Sequence, residues 1–153
     1  MIAVPAVVVA GPGTNRDHDL ALALALAGAA PTIVRANELV ERPELLRDAR
    51  LVAVAGGFSY GDALGAGNML ALDLRVGLGE ALEAFVATGR PMIGICNGFQ
   101  VLTRTHLLPG ALGHNGGGRF DCRWVTLTPQ PASHCLWTQG IGGADRVDQI
   151  PAR

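Results

Sequence analysis

The sequence contains no lysine; all 12 of its basic residues are arginine. That excludes a phosphate-cradling Walker lysine and a Schiff-base lysine within these residues. Charge is sparse as well: charged residues make up 16% of the chain, and the formal net charge is -1. With no basic run, nucleic acid is not an expected partner. No apolar stretch approaches the roughly 20 residues of a membrane span, so no membrane partner is expected either. The 3 cysteines, Cys96, Cys122 and Cys135, are odd in number and lack paired spacing. They suggest neither a disulfide framework nor a zinc knuckle, no metal is expected, and they suit a reducing cytoplasm. The first ten residues are apolar but lack a basic leader, so they read as a first strand and not a signal peptide. Repeats, low-complexity segments and linkers are missing too.

What is present is a chain of 153 residues, 49% hydrophobic and with 21 glycines. That is enough for one globular domain, residues 1–153, with a real core. Strand and helix patterns alternate. Ala6 to Ala10 is a buried strand, followed by the turn-rich Gly11-Pro12-Gly13-Thr14-Asn15, where Thr14 is a candidate helix cap with Asp17 behind it. Leu20 to Ala27 alternates Leu and Ala, but both are strong helix formers, so it reads as helix ended by Gly28. Pro31 to Val34 is a second strand, Pro43 opens a short helix through Arg47, and Leu51 to Ala55 is a third strand. Leu78, Ala81, Leu82, Phe85 and Val86 form one helical face, stopped by Gly89 and Pro91. Met92 to Ile95 is a fourth buried strand, leading directly into a helix from Asn97 to Thr103 that buries Phe99, Val101 and Leu102. Such repetition implies an α/β fold: a flavodoxin-like open, mostly parallel sheet with helices on both faces. Ligands then bind beyond the carboxyl ends of the strands. After Leu107-Leu108-Pro109-Gly110 the pattern changes. Cys122 to Thr128 reads as an antiparallel strand, and the chain beyond Pro129 as irregular.

The stretch with chemical content is Gly94-Ile95-Cys96-Asn97-Gly98-Phe99-Gln100. Gly-x-Cys-x-Gly between a strand and a helix is the cysteine form of the nucleophile elbow. The turn holds the sulfur over the sheet end in a strained backbone conformation, with glycines leaving room on both sides. The following helix N-terminus favours a thiolate. Gly56-Gly57-Phe58-Ser59-Tyr60-Gly61-Asp62 is the second such stretch. A glycine pair at a strand end can turn N–H groups inward to stabilise an oxyanion. The expected geometry puts Cys96 at the end of a central strand with the Gly56-Gly57 turn beside it.

Together these two stretches resemble class I glutamine amidotransferases, and among them the glutaminase subunit of phosphoribosylformylglycinamidine synthase, an enzyme of purine biosynthesis. Pro12-Gly13-Thr14-Asn15, Leu107-Leu108-Pro109-Gly110, Asn115 and Arg119-Phe120-Asp121-Cys122-Arg123-Trp124-Val125 extend the resemblance over nearly the whole chain. It implies that Cys96 attacks the side-chain amide of glutamine to form a glutamyl thioester. Gly57 and Asn97 would supply oxyanion N–H groups, and Gln100, Asn115, Arg119 and Phe120 would help hold glutamine. Ammonia would pass to a synthetase subunit, assembled with a small accessory subunit. That synthetase would use ATP and Mg to make formylglycinamidine ribonucleotide from formylglycinamide ribonucleotide. No cofactor is implied for this chain.

Two departures qualify the resemblance. Gly117 stands where the family often has Ser. Members also continue into a His-Gly-Glu segment bearing the general base and its carboxylate, whereas this sequence stops at Ile150-Pro151-Ala152-Arg153. None of His18, His106, His114 and His134 matches the base position, and each reads as a surface or loop histidine. The expectation is therefore a C-terminally incomplete amidotransferase domain, inactive alone. Two alternatives stay open: a non-catalytic docking fragment for the synthetase, or another Cys-elbow protein of the hydrolase and chaperone type. The latter group places His directly after the Cys, where this chain has Asn97.

Overall fold

A computed structural model of the chain describes residues 3–119, 124–130, 132–139 and 147–151. They fall into two compact units, 1–112 and 113–153.

In the first unit β1 (Val4–Ala10), α1 (Asp17–Leu26), β2 (Ala29–Arg35), α2 (Ala36–Glu41), α3 (Glu44–Asp48), β3 (Leu51–Val54), α4 (Asn68–Ala87), β4 (Met92–Gly94) and α5 (Asn97–Arg104) follow one another. The four strands pair in parallel in the order β2-β1-β3-β4, the doubly-wound arrangement expected from the sequence. Because side chains alternate across a strand, the sheet feeds two cores. Val7, Val9, Val34, Val52 and Val54 pack with Leu39, Leu46, Leu74, Leu78, Phe85 and Val101 on one face. Val8, Ala53 and Ala55 pack with Leu20 of α1 on the other. Helices thus lie on both faces.

Several local expectations differ from the structure. Thr14 does not cap α1. Its Oγ1 accepts from the Gly11 N–H at 3.0 Å and closes the preceding turn, while α1 starts at Asp17 with no side-chain cap. Asp17 and Asp19 in the first turn still complement the helix dipole. Helix α4 begins ten residues before the apolar face read from sequence, and its stripe runs through Leu70, Leu74, Leu78, Leu82 and Phe85. Val86 sits at the rim of that stripe and is 41% exposed. On α5 the face against the sheet is Gly98, Val101 and Leu102; Phe99, one residue round the helix from Gly98, is 45% exposed. Strand β4 is half-buried and forms the edge of the four-stranded sheet among the described residues, where the sequence led us to expect a central strand before Cys96.

In the second unit β5 (Trp124–Leu127) pairs antiparallel with β6 (Val147–Pro151). The expected antiparallel strand is present, but β6 lies in a stretch read as irregular; Pro151 at its end masked the β-branched Val147 and Ile150 in the pattern. Cys122 lies outside the described residues. No helix among the described residues is long and apolar enough to cross a membrane.

Candidate active site

Strand β4 hands over to α5 in two residues, Ile95 and Cys96. Cys96 has φ 55° and ψ -112°, a conformation that costs an ordinary side chain on the order of 1–3 kcal/mol and persists only where its surroundings impose it. The surroundings are the two glycines. A Cβ at Gly94 would lie 2.5 Å from Gly98 O, and one at Gly98 would lie 2.0 Å from Val54 O. Neither glycine needs its conformational freedom here; each is required because backbone meets backbone. The Gly98 N–H donates to Ile95 O at 2.9 Å and the Gln100 N–H to Cys96 O at 3.2 Å, so the turn winds straight into helix. The first N–H groups of any helix have no partner within it, and the thiol stands at this end. Cys96 is exposed and carries a free thiol.

The Gly56-Gly57 turn lies against this elbow. A Cβ on Gly56 would meet Ile95 O at 3.0 Å and Cys96 Cβ at 3.4 Å. Gly57 has φ 120° and pairs with Thr14 in an isolated antiparallel bridge. The 11–15 loop supports it from behind: Tyr60 N–H donates to Pro12 O at 2.6 Å, and a Cβ on Gly57 would strike Asn15 N at 2.6 Å. The turn expected for an oxyanion site is thus beside the cysteine.

Asn97 is 3% exposed, and its side chain points into the protein. Oδ1 accepts from Ser59 Oγ at 2.6 Å and from the Ser59 N–H at 3.4 Å; Nδ2 donates to Asp62 Oδ1 and Gln100 Oε1, both at 3.1 Å. The backbone of the same segment is strained, with positive φ at Tyr60, Gly61, Asp62 and Leu64. Ser59 and Asp62 were not read as site residues from sequence. The signal available was Asn97 itself, a polar residue at a helix start wedged between apolar neighbours, which needs polar partners from elsewhere.

Tyr60 holds the far side of this segment by donating to Asp73 Oδ2 on α4 at 2.5 Å. That hydrogen bond, with burial and the carboxylate charge behind it, raises the phenol above its ordinary pKa of 10.0. The folded protein therefore keeps this proton when the unfolded chain loses it. The stabilisation is complete below pH 10 and is lost as pH rises through the elevated value. Tyr60 is the 1 tyrosine in the chain, so tyrosinate absorbance reports it alone. We expect its titration midpoint to fall towards the ordinary value in urea, and Tyr60→Phe to lose stability less steeply above pH 10. Identical midpoints in folded and unfolded protein would refute this.

Of the remaining candidates, Gln100 is half-buried and joins the elbow through Asn97. Asn115 and Arg119 belong to the second unit, where both are exposed and Asn115 Nδ2 donates to Arg119 O at 3.0 Å. Phe120 lies outside the described residues. His18, His106, His114 and His134 are all exposed, as expected for surface or loop positions. Two grooves of about 510 and 740 Å³ open along α3 and α4, and Cys96 lines neither. The cysteine stands instead on an open surface at the carboxyl ends of β3 and β4.

Fold and elbow define a doubly-wound α/β protein presenting an accessible cysteine on a strand-to-helix turn. The chain belongs to the CobB/CobQ-like glutamine amidotransferase domain family, whose model matches residues 3–148. It is 44% identical over 157 residues to the phosphoribosylformylglycinamidine synthase subunit PurQ of Treponema denticola, a match covering 90% of this chain and 58% of that one. It is also 44% identical over 149 residues to the subunit of the same name from Dehalococcoides mccartyi, covering 92% and 58%. A solved structure of PurLQS from Thermotoga maritima superposes with TM-score 0.77 at 34% identity, covering 98% of this chain and 66% of that one. The chain spans a little over half the length of the curated relatives it matches.

Proposed function

We propose that this chain is the glutaminase part of a phosphoribosylformylglycinamidine synthase, releasing ammonia from glutamine through a Cys96 thioester. The observation that carries the reading is Cys96 itself: exposed, free, and held at φ 55° on an elbow against the Gly56-Gly57 turn, in a chain of the amidotransferase family.

In this reading the Cys96 thiolate attacks the side-chain amide carbon of glutamine. A C–S bond forms and the carbonyl electron pair moves onto oxygen, where the backbone N–H groups of Gly57 and Asn97 receive it. Collapse of that intermediate breaks the C–N bond, and a general acid protonates the departing nitrogen. Water then attacks the thioester, the C–S bond breaks and glutamate leaves. The base that manages these protons is, by resemblance, the histidine of the family's His-Gly-Glu segment, which none of His18, His106, His114 and His134 matches. Gln100 would orient the bound glutamine; by resemblance alone, Asn115, Arg119 and Phe120 would also help hold it.

Ammonia would pass to a synthetase partner that uses ATP and Mg, with the small accessory subunit completing the assembly. The similarity to the PurLQS structure supports this arrangement. A cytoplasmic location is consistent with the free thiols of Cys96 and Cys135. The test is ammonia release from glutamine by the full-length protein with its synthetase partner. Saturable release is expected, and pretreatment with the chloromethyl ketone analogue of glutamine should abolish it. Glutamine should protect against that inactivation. No release, and no protection of Cys96 by glutamine, would reject the reading.

A further inference from the structure

The Asn97 side chain is the point at which two separate pieces of the site are fastened together. A primary amide has two N–H donors and one oxygen with two lone pairs, and here all four are used. The orientation of the amide is also fixed. The Ser59 backbone N–H can only donate, so the atom facing it must be Asn97 Oδ1, leaving Nδ2 towards Asp62 and Gln100. Gln100 is oriented in turn: it presents Oε1 to Asn97, and its own NH2 faces away. The chain of bonds is directional from Ser59 through Asn97 to Asp62 and Gln100.

Asn97 is the first residue of α5 and the covalent neighbour of Cys96, while Ser59 and Asp62 follow Gly57 by two and five residues. Ser59 is 1% exposed and Asn97 is 3% exposed. Any slip between the glycine turn and the elbow therefore breaks bonds in a place water does not reach, where an unpaired polar group is costly. The bond to Asp62 is charge-assisted when that carboxylate is ionised, and so is stronger than a neutral one.

We propose that Ser59 and Asp62 are positioning residues for the reaction at Cys96. They act through Asn97 to fix the register between the Gly56-Gly57 turn and the sulfur. The inference rests on the glutaminase reading above. It assigns Asn97 two separable jobs: the side chain locks the turn, and the backbone N–H is left for the reacting oxygen. A misplacement of about 1 Å between reacting groups can cost on the order of 10²-fold in rate, so the lock should be felt in the chemistry at Cys96.

The experiment compares two electrophiles at Cys96 in the full-length protein, followed by mass spectrometry of the Cys96 peptide. The chloromethyl ketone analogue of glutamine needs the turn and the elbow in register; iodoacetamide needs only an accessible thiol. Ser59→Ala and Asp62→Ala should each slow the saturable chloroketone reaction about 10- to 100-fold, while the iodoacetamide rate stays within about twofold of wild type. Ser59→Thr, which keeps the hydroxyl, and Asp62→Asn, which keeps an acceptor oxygen, should recover most of the rate. Chloroketone rates equal to wild type in both alanine variants would overturn the proposal. So would parallel losses with both reagents, the mark of a damaged fold. Should Ser59→Ala not fold, Asp62→Ala at its half-buried position carries the comparison. A wild-type protein without saturable, glutamine-protected labelling would reject the glutaminase reading itself. Saturable labelling in wild type with unaffected variants would reject this inference alone.

Discussion

An alanine at position 98 is expected to melt at least about 6 °C below the native chain, or to fail to fold. The added methyl would sit 2.0 Å from Val54 O, 2.7 Å from Val54 C and 3.1 Å from Ala55 O. Those atoms are backbone, and they are already committed. Val54 O accepts from the Ile95 N–H at 3.2 Å, and Ala55 N–H donates to Val9 O at 3.1 Å. Relief requires α5 to lift from the sheet by an ångström or more, opening the core around Val101 and Leu102. Overpacking a core commonly costs about 1–3 kcal/mol; here no flexible side chain can give way, so the cost lies at or above the top of that range. In a domain of this size each kcal/mol corresponds to roughly 2–4 °C in melting temperature. Gly79→Ala is the control with the opposite sign. Gly79 lies within α4 with nothing within 4 Å of an added Cβ. Alanine there should stabilise by up to about 1 kcal/mol through helix propensity alone. A Gly98→Ala protein melting within a few degrees of the native one would show that the elbow has slack that the packing denies.

Cys96→Ser is expected to leave the fold intact and remove the chemistry. The substitution preserves side-chain size at a position whose φ of 55° is imposed by its surroundings. A serine hydroxyl stays protonated near neutral pH, so it does not displace chloride from the chloroketone. The native protein should gain one covalent adduct, at Cys96, with a C–S bond formed and chloride released; the variant should gain none. Cys135 is a second exposed free thiol and serves as an internal standard. Iodoacetamide should still label it in the variant, showing that thiol alkylation proceeds under the assay conditions, while an unchanged melting temperature reports the fold. With the synthetase partner present, glutamine-dependent ammonia release should drop by on the order of 10⁴-fold or more, as expected when a covalent nucleophile is lost. An adduct persisting on the serine variant would move the nucleophile to another residue.

The parts of the molecule legible in the sequence were those encoded by near neighbours. Val7 to Val9 and Val52 to Val54 read as buried strands because β-branched and small apolar residues run without interruption, as a strand covered on both faces requires. The elbow was legible because a strand, a cysteine between two glycines and a helix are all local. Alternating Leu and Ala over 20–27 reads with period two, yet residue type decided for helix, and α1 is a helix. What escaped notice was set at long range. The Ser59–Asn97 bonds join residues 38 apart, and no periodicity announces them. The start of α4 hid behind Gly65 and Gly67, which look like loop, although Gly67 is what lets the helix end approach Val101 closely. Thr14 carried the chemistry of a helix cap, and the nearer Gly11 N–H took its oxygen. Strand β4 looked as apolar as an interior strand; sequence does not tell how many neighbours a strand will find.

The Gly98–Val54 approach also sorts the site by mobility. β4 is an edge strand among the described residues, and core strands have the highest free energies of local opening. An elbow hung only from that strand would share its breathing. Instead α5 rests on the backbone of β3, an interior strand whose Val52 and Ala53 are fully buried. The helix that carries the elbow is therefore seated on an interior strand, although the strand leading into Cys96 lies at the margin of the sheet among the described residues.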